Sequence, residues 1–296
     1  MEKSELQYSL KALENEIPVP DRSDMVAKSN HKFTEELQGI LDEAETLLRM
    51  SDTKNARSLY QRIIEKDTSA YCILDYIGDT YFDEKNFEEA KRYYQLAISK
   101  DYTDYLAHWS LADVLCHLND KKTALREISI AKVLNRNNQL LHSKFLEIYS
   151  LNKVEYVDWT FNPQCRLSLE HNQQKNIDVV TVEFGKYWLG YALNKAVWTY
   201  EPGHVDENVQ NDFEKIWEQE RECVISLLIA NYDSKEMKTN IDLKVLSAAF
   251  DKGYFDSYVM YEALLPDYPM IAGLLTEEAI NAIADYLIKV RSKIKK

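Results

Sequence analysis

A recurrence with a period of about 34 residues constrains this chain more than any other feature. Ile77-Gly78, Tyr81, Ala90, Tyr94 and Ala97 fall at helical spacings, in two bursts separated by the polar run Asp83–Asn86. Each burst lays apolar groups along one stripe of a helix, with a tight turn between the two. One period forward stand Leu111-Ala112, Leu115, Ala124, Ile128 and Ala131, and one period back stand Glu43-Ala44, Leu47, Ala56, Tyr60 and Ile63. Each unit keeps a small residue at its eighth and twentieth positions and apolar groups at its eleventh, twenty-fourth and twenty-seventh. One antiparallel helix pair cannot bury both of its faces, so a pattern of this period predicts a stack of like units.

These three units, Leu37–Ala70, Tyr71–Asp104 and Tyr105–Asn138, resemble the tetratricopeptide repeat (TPR) family. They depart from its pattern where a proline is usual near the end of a unit, since Thr68, Tyr102 and Arg136 stand there, and where Glu43 replaces a leucine. The resemblance covers about a third of the chain and implies an all-α helical solenoid that acts by binding other proteins.

Bulk properties narrow the partners. A formal charge of −13 argues against broad binding to nucleic acid or to anionic membranes, which require a basic surface. Cys72, Cys116, Cys165 and Cys223 are far apart and form no Cys-x-x-Cys pair, which favours reduced thiols in the cytoplasm over disulfides or zinc. The first residues carry no apolar secretory core, and no run of 18 apolar residues follows, so a soluble protein is expected.

In chain order, residues 1–36 read as a short helix over Ser4–Glu16, stopped by Pro18 and Pro20, and a polar arm. The repeats come next, and Gln139–Leu151 carries Leu140, Leu141, Phe145, Ile148 and Tyr149 on one face, as a capping helix would, so the repeat region extends over 37–151. Residues 152–296 read as a second, helical domain of no recognised family. Its expected elements are one long helix over Val179–Thr199 ended by Pro202-Gly203, a helix within Asp206–Tyr232, a shorter one near Ile241–Asp251, and a last helix N-capped by Thr276. Ile177–Phe184 is rich in β-branched residues, but no partner strand is evident. The basic residues Lys289, Arg291, Lys293, Lys295 and Lys296 suit the C-terminus of that last helix.

Signatures of catalysis are absent. There is no G-x-x-x-x-G-K-[ST], G-x-G-x-x-G, H-E-x-x-H or G-x-S-x-G, and seven glycines leave little for phosphate loops. The histidines show no i, i+4 pair for a metal. Cys165 with His171 is the nearest approach to a nucleophile and base, and Glu201, His204 and Asp206 form a second small polar group. No catalytic residue, cofactor or metal is therefore expected.

The resemblance assigns ligand contact to the second, fifth, ninth, twelfth and thirteenth positions of each unit. Here these are Gln38, Leu41, Glu45, Leu48 and Arg49, then Cys72, Asp75, Asp79, Phe82 and Asp83, then Leu106, Trp109, Asp113, Cys116 and His117. Five of the fifteen are acidic and only Arg49 is a fixed cation. Some relatives hold a C-terminal carboxylate with lysine, asparagine and arginine at such positions, and those residues are missing here. The expected groove residues are Glu45, Arg49, Asp75, Asp79, Phe82, Asp83, Trp109, Asp113 and His117, facing a peptide that carries Lys or Arg, with Trp109 and Phe82 as apolar or cation–π anchors. The chain thus reads as a scaffold or adaptor with protein or peptide partners, with room for homodimerisation through the C-terminal domain. The rival roles are a peptide-sensing allosteric regulator and an enzyme whose repeats dock the substrate for a site within 152–296.

Overall fold

The structure is a computed structural model that describes residues 31–172, 177–201 and 212–294. The N-terminal helix and arm up to residue 30, the Pro202-Gly203 stop, His204, Asp206, Lys295 and Lys296 lie outside the described residues.

Six helices pair in sequence order over 35–134. α1 (Glu35–Arg49) pairs with α2 (Thr53–Lys66), α3 (Ile73–Asp83) with α4 (Phe87–Lys100), and α5 (Tyr105–His117) with α6 (Lys121–Leu134). α7 (Gln139–Leu151) starts where a fourth unit would. The turn inside each unit is built the same way. Ser51, Lys85, Asn119 and Lys153, each one period after the last, adopt φ of 63°, 60°, 61° and 58°. A left-handed conformation costs a non-glycine residue about 1 kcal/mol, so its recurrence marks a constraint of the fold. The next residue caps the second helix: Asp52, Asn86 and Asp120 accept the backbone N–H groups of Asn55, Glu89 and Thr123.

The small residues at the eighth and twentieth positions are where helices meet. Ala44, Ala112, Ala56, Ala90 and Ala124 are fully buried. A Cβ added to Gly78 would come within 2.6 Å of the Tyr94 ring, so glycine is what lets that ring lie across α3. Tyr60, Tyr94 and Ile128, at the twenty-fourth position, fill the space between helices, and burying each stabilises by about 1.5–3 kcal/mol. Arg57 ties the first unit to the second. Its guanidinium lies 3.6 Å from the Tyr81 ring centre, and it also bonds Thr80 at 2.8 Å and Glu84 at 2.7 Å. On α7 the buried face is Leu141, Phe145, Ile148 and Tyr149, whereas Leu140, expected beside them, points outward. After Lys153 the chain leaves the helical pattern in β1 (Val154–Tyr156).

Residues 158–268 form a second unit. It opens with β2 (Cys165–Asn172) and β3 (Ile177–Phe184), antiparallel with Cys165 opposite Phe184 and Asn172 opposite Ile177. This corrects the long helix expected over Val179–Thr199, because α8 (Leu189–Tyr200) begins only at Leu189. The β-branched run Val179–Val182 prefers the extended chain, and its partner strand, Cys-Arg-Leu-Ser-Leu-Glu-His-Asn, is mostly exposed and polar. α9 (Asp212–Asn231), α10 (Glu236–Thr239), α11 (Ile241–Asp251) and α12 (Phe255–Tyr258) come after it, with a π-helical turn over Val259–Leu264. The core is aromatic: the Phe161 ring lies 5.4, 6.1 and 5.8 Å from those of Trp188, Tyr191 and Tyr258. Trp159 donates its indole N–H to Asp242 at 2.6 Å. Gly190 lets α8 pack tightly on α9, since a Cβ there would meet the Ser226 carbonyl oxygen at 2.4 Å.

The last segment returns to the repeats. Thr276 caps α13 (Glu277–Lys289), as expected, by accepting the Ala279 N–H. α13 packs on α6, where Arg126 bonds Asp285 at 2.8 Å and Asn281 at 2.6 Å, and the Tyr102 hydroxyl donates to Asn281 at 3.0 Å. β4 (Ser292–Ile294) then pairs antiparallel with β1. Arg291, assigned from sequence to a basic helix end, is instead buried. It donates to the Val157 carbonyl at 2.6 Å and lies 4.8 Å from the Tyr156 ring centre.

Candidate binding face

The ninth residue of each unit forms an acidic ladder. Glu45 on α1, Asp79 on α3 and Asp113 on α5 stand one period apart, and the next step reaches Glu147 on α7. All four are partly or fully exposed. The rungs differ in what they hold. Glu45 makes a loose 3.7 Å pair with Arg49, one turn on. Asp79 accepts the Tyr94 hydroxyl at 2.7 Å, and burial, with this carboxylate beside it, holds that phenol well above its ordinary value. Asp113 pairs at 2.7 Å with Lys144, whose ammonium also reaches Glu147 at 3.3 Å.

Asp113 feels two opposed influences. Burial pushes its carboxyl above the ordinary carboxylate range, while bonds from Lys144 and from the Trp109 side chain pull it down. For Lys144, burial lowers the ammonium's value, but bonds and charge from Asp113 and Glu147 outweigh it. The geometry decides that the pair is ionised, since a 2.7 Å contact places a lysine, charged at neutral pH, directly on the carboxylate.

The remaining expected residues divide by depth. Asp75 is 1% exposed, and Cys72, Leu41 and Leu106 are buried with it, so the second and fifth positions mainly serve the interior. Trp109 and Phe82 are half-buried, and Asp83, Arg49 and His117 are exposed. The His117 ring stacks on Phe87 at 4.4 Å and meets Phe82 edge-on at 5.4 Å, giving an aromatic patch between the second and third units. Sequence reasoning missed Glu147, which one more step of the period would have reached. It also missed Lys144, which no spacing signals because the pair joins two helices.

The same φ, the same cap and the same buried small residues recur from unit to unit. Residues 37–138 are a tetratricopeptide-like stack.

No family model matches the chain, and no curated protein matches it in sequence. The chain is similar to several solved structures. One is the first TPR of Spaghetti bound to an HSP90 peptide (14% identity, 42% of this chain and 98% of that one, TM-score 0.38). Another is the Yersinia enterocolitica type III secretion translocator chaperone SycD (14% identity, 45% and 92%, TM-score 0.37). A third is YrrB, a TPR protein with an unusual peptide-binding site (16% identity, 83% and 97%, TM-score 0.35). What assigns the fold is the recurrence of turns, caps and packing positions.

Outside the tetratricopeptide-like stack, a polar cluster joins α8 and α9. Tyr191 donates to the buried Glu220 at 2.8 Å, Lys195 pairs with the same carboxylate, and Trp198 donates to Glu222 at 2.7 Å. Burial also pushes the nearby Cys223 thiol far above its ordinary value, which disfavours the reactive thiolate. Cys165 and His171 are not brought together: they stand near opposite ends of one extended strand, about 20 Å apart. His171 instead bonds Asp178 across the hairpin at 2.8 Å. Among the described residues no group of three or more His, Cys, Asp or Glu is placed to hold a metal ion, and no helix is long and apolar enough to cross a membrane.

Proposed function

We propose that the repeat stack is a protein-binding module whose acidic face holds a segment of a partner bearing Lys or Arg. One observation carries the reading. A lysine of the chain itself, Lys144, sits on two rungs of the ladder, Asp113 and Glu147. It displays in miniature the contact that a partner's cation would make on Glu45 and Asp79. The half-buried Trp109 and the Phe82–Phe87–His117 patch supply apolar surface beside those charges, where a neighbouring side chain of the same segment can pack.

Fluorescence anisotropy with a labelled lysine-rich peptide and an acidic peptide of equal length tests this. Wild type should bind the basic peptide, less tightly as salt rises. Glu45→Lys/Asp79→Lys should weaken it about tenfold or more with helicity unchanged by circular dichroism. Equal binding of both peptides, or no loss on charge reversal, would contradict it.

A further inference from the structure

The β2–β3 hairpin is a two-stranded sheet, and among the described residues no third strand lies on either of its edges. A ribbon of two strands is marginal in water, and proteins guard such edges with proline, lysine, a bulge or short length. β2 has none of these. Cys165–Asn172 runs for 8 residues in unbroken register, without proline or lysine, and is mostly exposed. One bond shows which backbone groups face outward. The Gly185 N–H donates to the Gln164 carbonyl at 2.8 Å, in line with the register, so Arg166, Ser168 and Glu170 turn their backbone groups toward β3. By alternation Leu167 and Leu169 turn theirs away from it. The pleat also sets the side chains of Leu167 and Leu169 on one face with Val180 and Val182, and those of Arg166, Ser168 and Glu170 on the other. Leu169 is 51% exposed. The two charges flank Ser168 at equal distance along the strand, one of each sign. Glu170 stands opposite Val179 in its own hairpin, so the register gives it no cation there.

We propose that β2 pairs antiparallel with β2 of a second copy of this chain, about a two-fold axis at Ser168, joining two hairpins into one four-stranded sheet. Leu167 then exchanges backbone hydrogen bonds with Leu169 of the second copy, and Leu169 with Leu167 of the second copy. Arg166 comes to lie between Glu183 of its own hairpin and Glu170 of the second copy, so two new cross-strand ion pairs form on the polar face. The two leucine pairs continue the apolar face. A one-residue slip of the axis sets Arg166 opposite Ser168 or Asn172 instead, which leaves Glu170 unmatched. Self-complementarity belongs to β2 and not to its neighbour: the charges of β3 are Asp178 and Glu183, and pairing it with itself would gather four carboxylates and no cation. A contact of this symmetry closes at two chains, and the acidic β3 edges left outside resist further growth. The surface lies within residues 158–268 and is independent of the acidic ladder.

Sedimentation equilibrium of the full chain over a wide range of concentration tests this. Wild type should pass from one chain to two as concentration rises. Arg166→Glu and Glu170→Arg each set like charges against one another at both pairs, and each should weaken the dimer about tenfold or more, with circular dichroism unchanged. An equal mixture of the two variants should recover the dimer, because each mixed pair again faces opposite charges at both positions. The double exchange Arg166→Glu/Glu170→Arg should dimerise as wild type does. Wild type that stays a single chain at every concentration would overturn the proposal. A dimer indifferent to both reversals would overturn it too, by placing the contact elsewhere. Reversals that neither mixing nor the double exchange rescues would exclude the two-fold axis at Ser168.

Discussion

Asp113 carries its charge where the fold resists it. Its carboxyl is raised in the folded protein, so the folded state holds that proton more tightly than the unfolded chain does. The group's contribution to stability is therefore fully present below its unfolded value and is lost as pH rises through the folded one. Asp113→Asn should gain stability over wild type by more at neutral pH than in mild acid, measured as the difference in urea midpoints. An equal or reversed gap would show that Lys144 more than offsets the burial. At this scale the sequence is informative wherever the period does the work: Asp79 and Asp113 are placed by register. It is blind to depth, which is why Asp75, one turn from Asp79, is read as groove and is in fact interior. It is equally blind to Lys144, whose partner stands in a different unit on another helix.

At the scale of elements, the repeat helices are self-announcing because small residues, apolar stripes and polar turns all recur together. The β2–β3 hairpin is not, because its first strand buries too little to alternate cleanly. The place of α13 is hidden for a different reason. Its buried stripe of Ile280, Ile283, Ala284 and Leu287 declares a helix with one covered face, but not that α6 covers it. Arg291 anchors the pairing of β1 with β4, and Arg291→Met should test this. The Val157 carbonyl would lose its donor and Tyr156 its cation, at about 1–3 kcal/mol. Hydrogen exchange at the Val154–Tyr156 amides should then accelerate. Unchanged protection there would mean that β1 and β4 hold without it.

At the scale of the molecule, a charge of −13 is spread over the chain, and acidity alone would not single out one face. What singles it out is order: carboxylates at one position of four successive units, two of them already bridged by a lysine. The most direct measurement is an amide chemical-shift titration of the isotopically labelled protein with a lysine-rich peptide. Saturable shifts should centre on Glu45, Asp79 and Trp109, disappear at high salt and be absent with an acidic peptide. Shifts centred in residues 158–268, or none at all, would contradict the assignment of this face as the binding site.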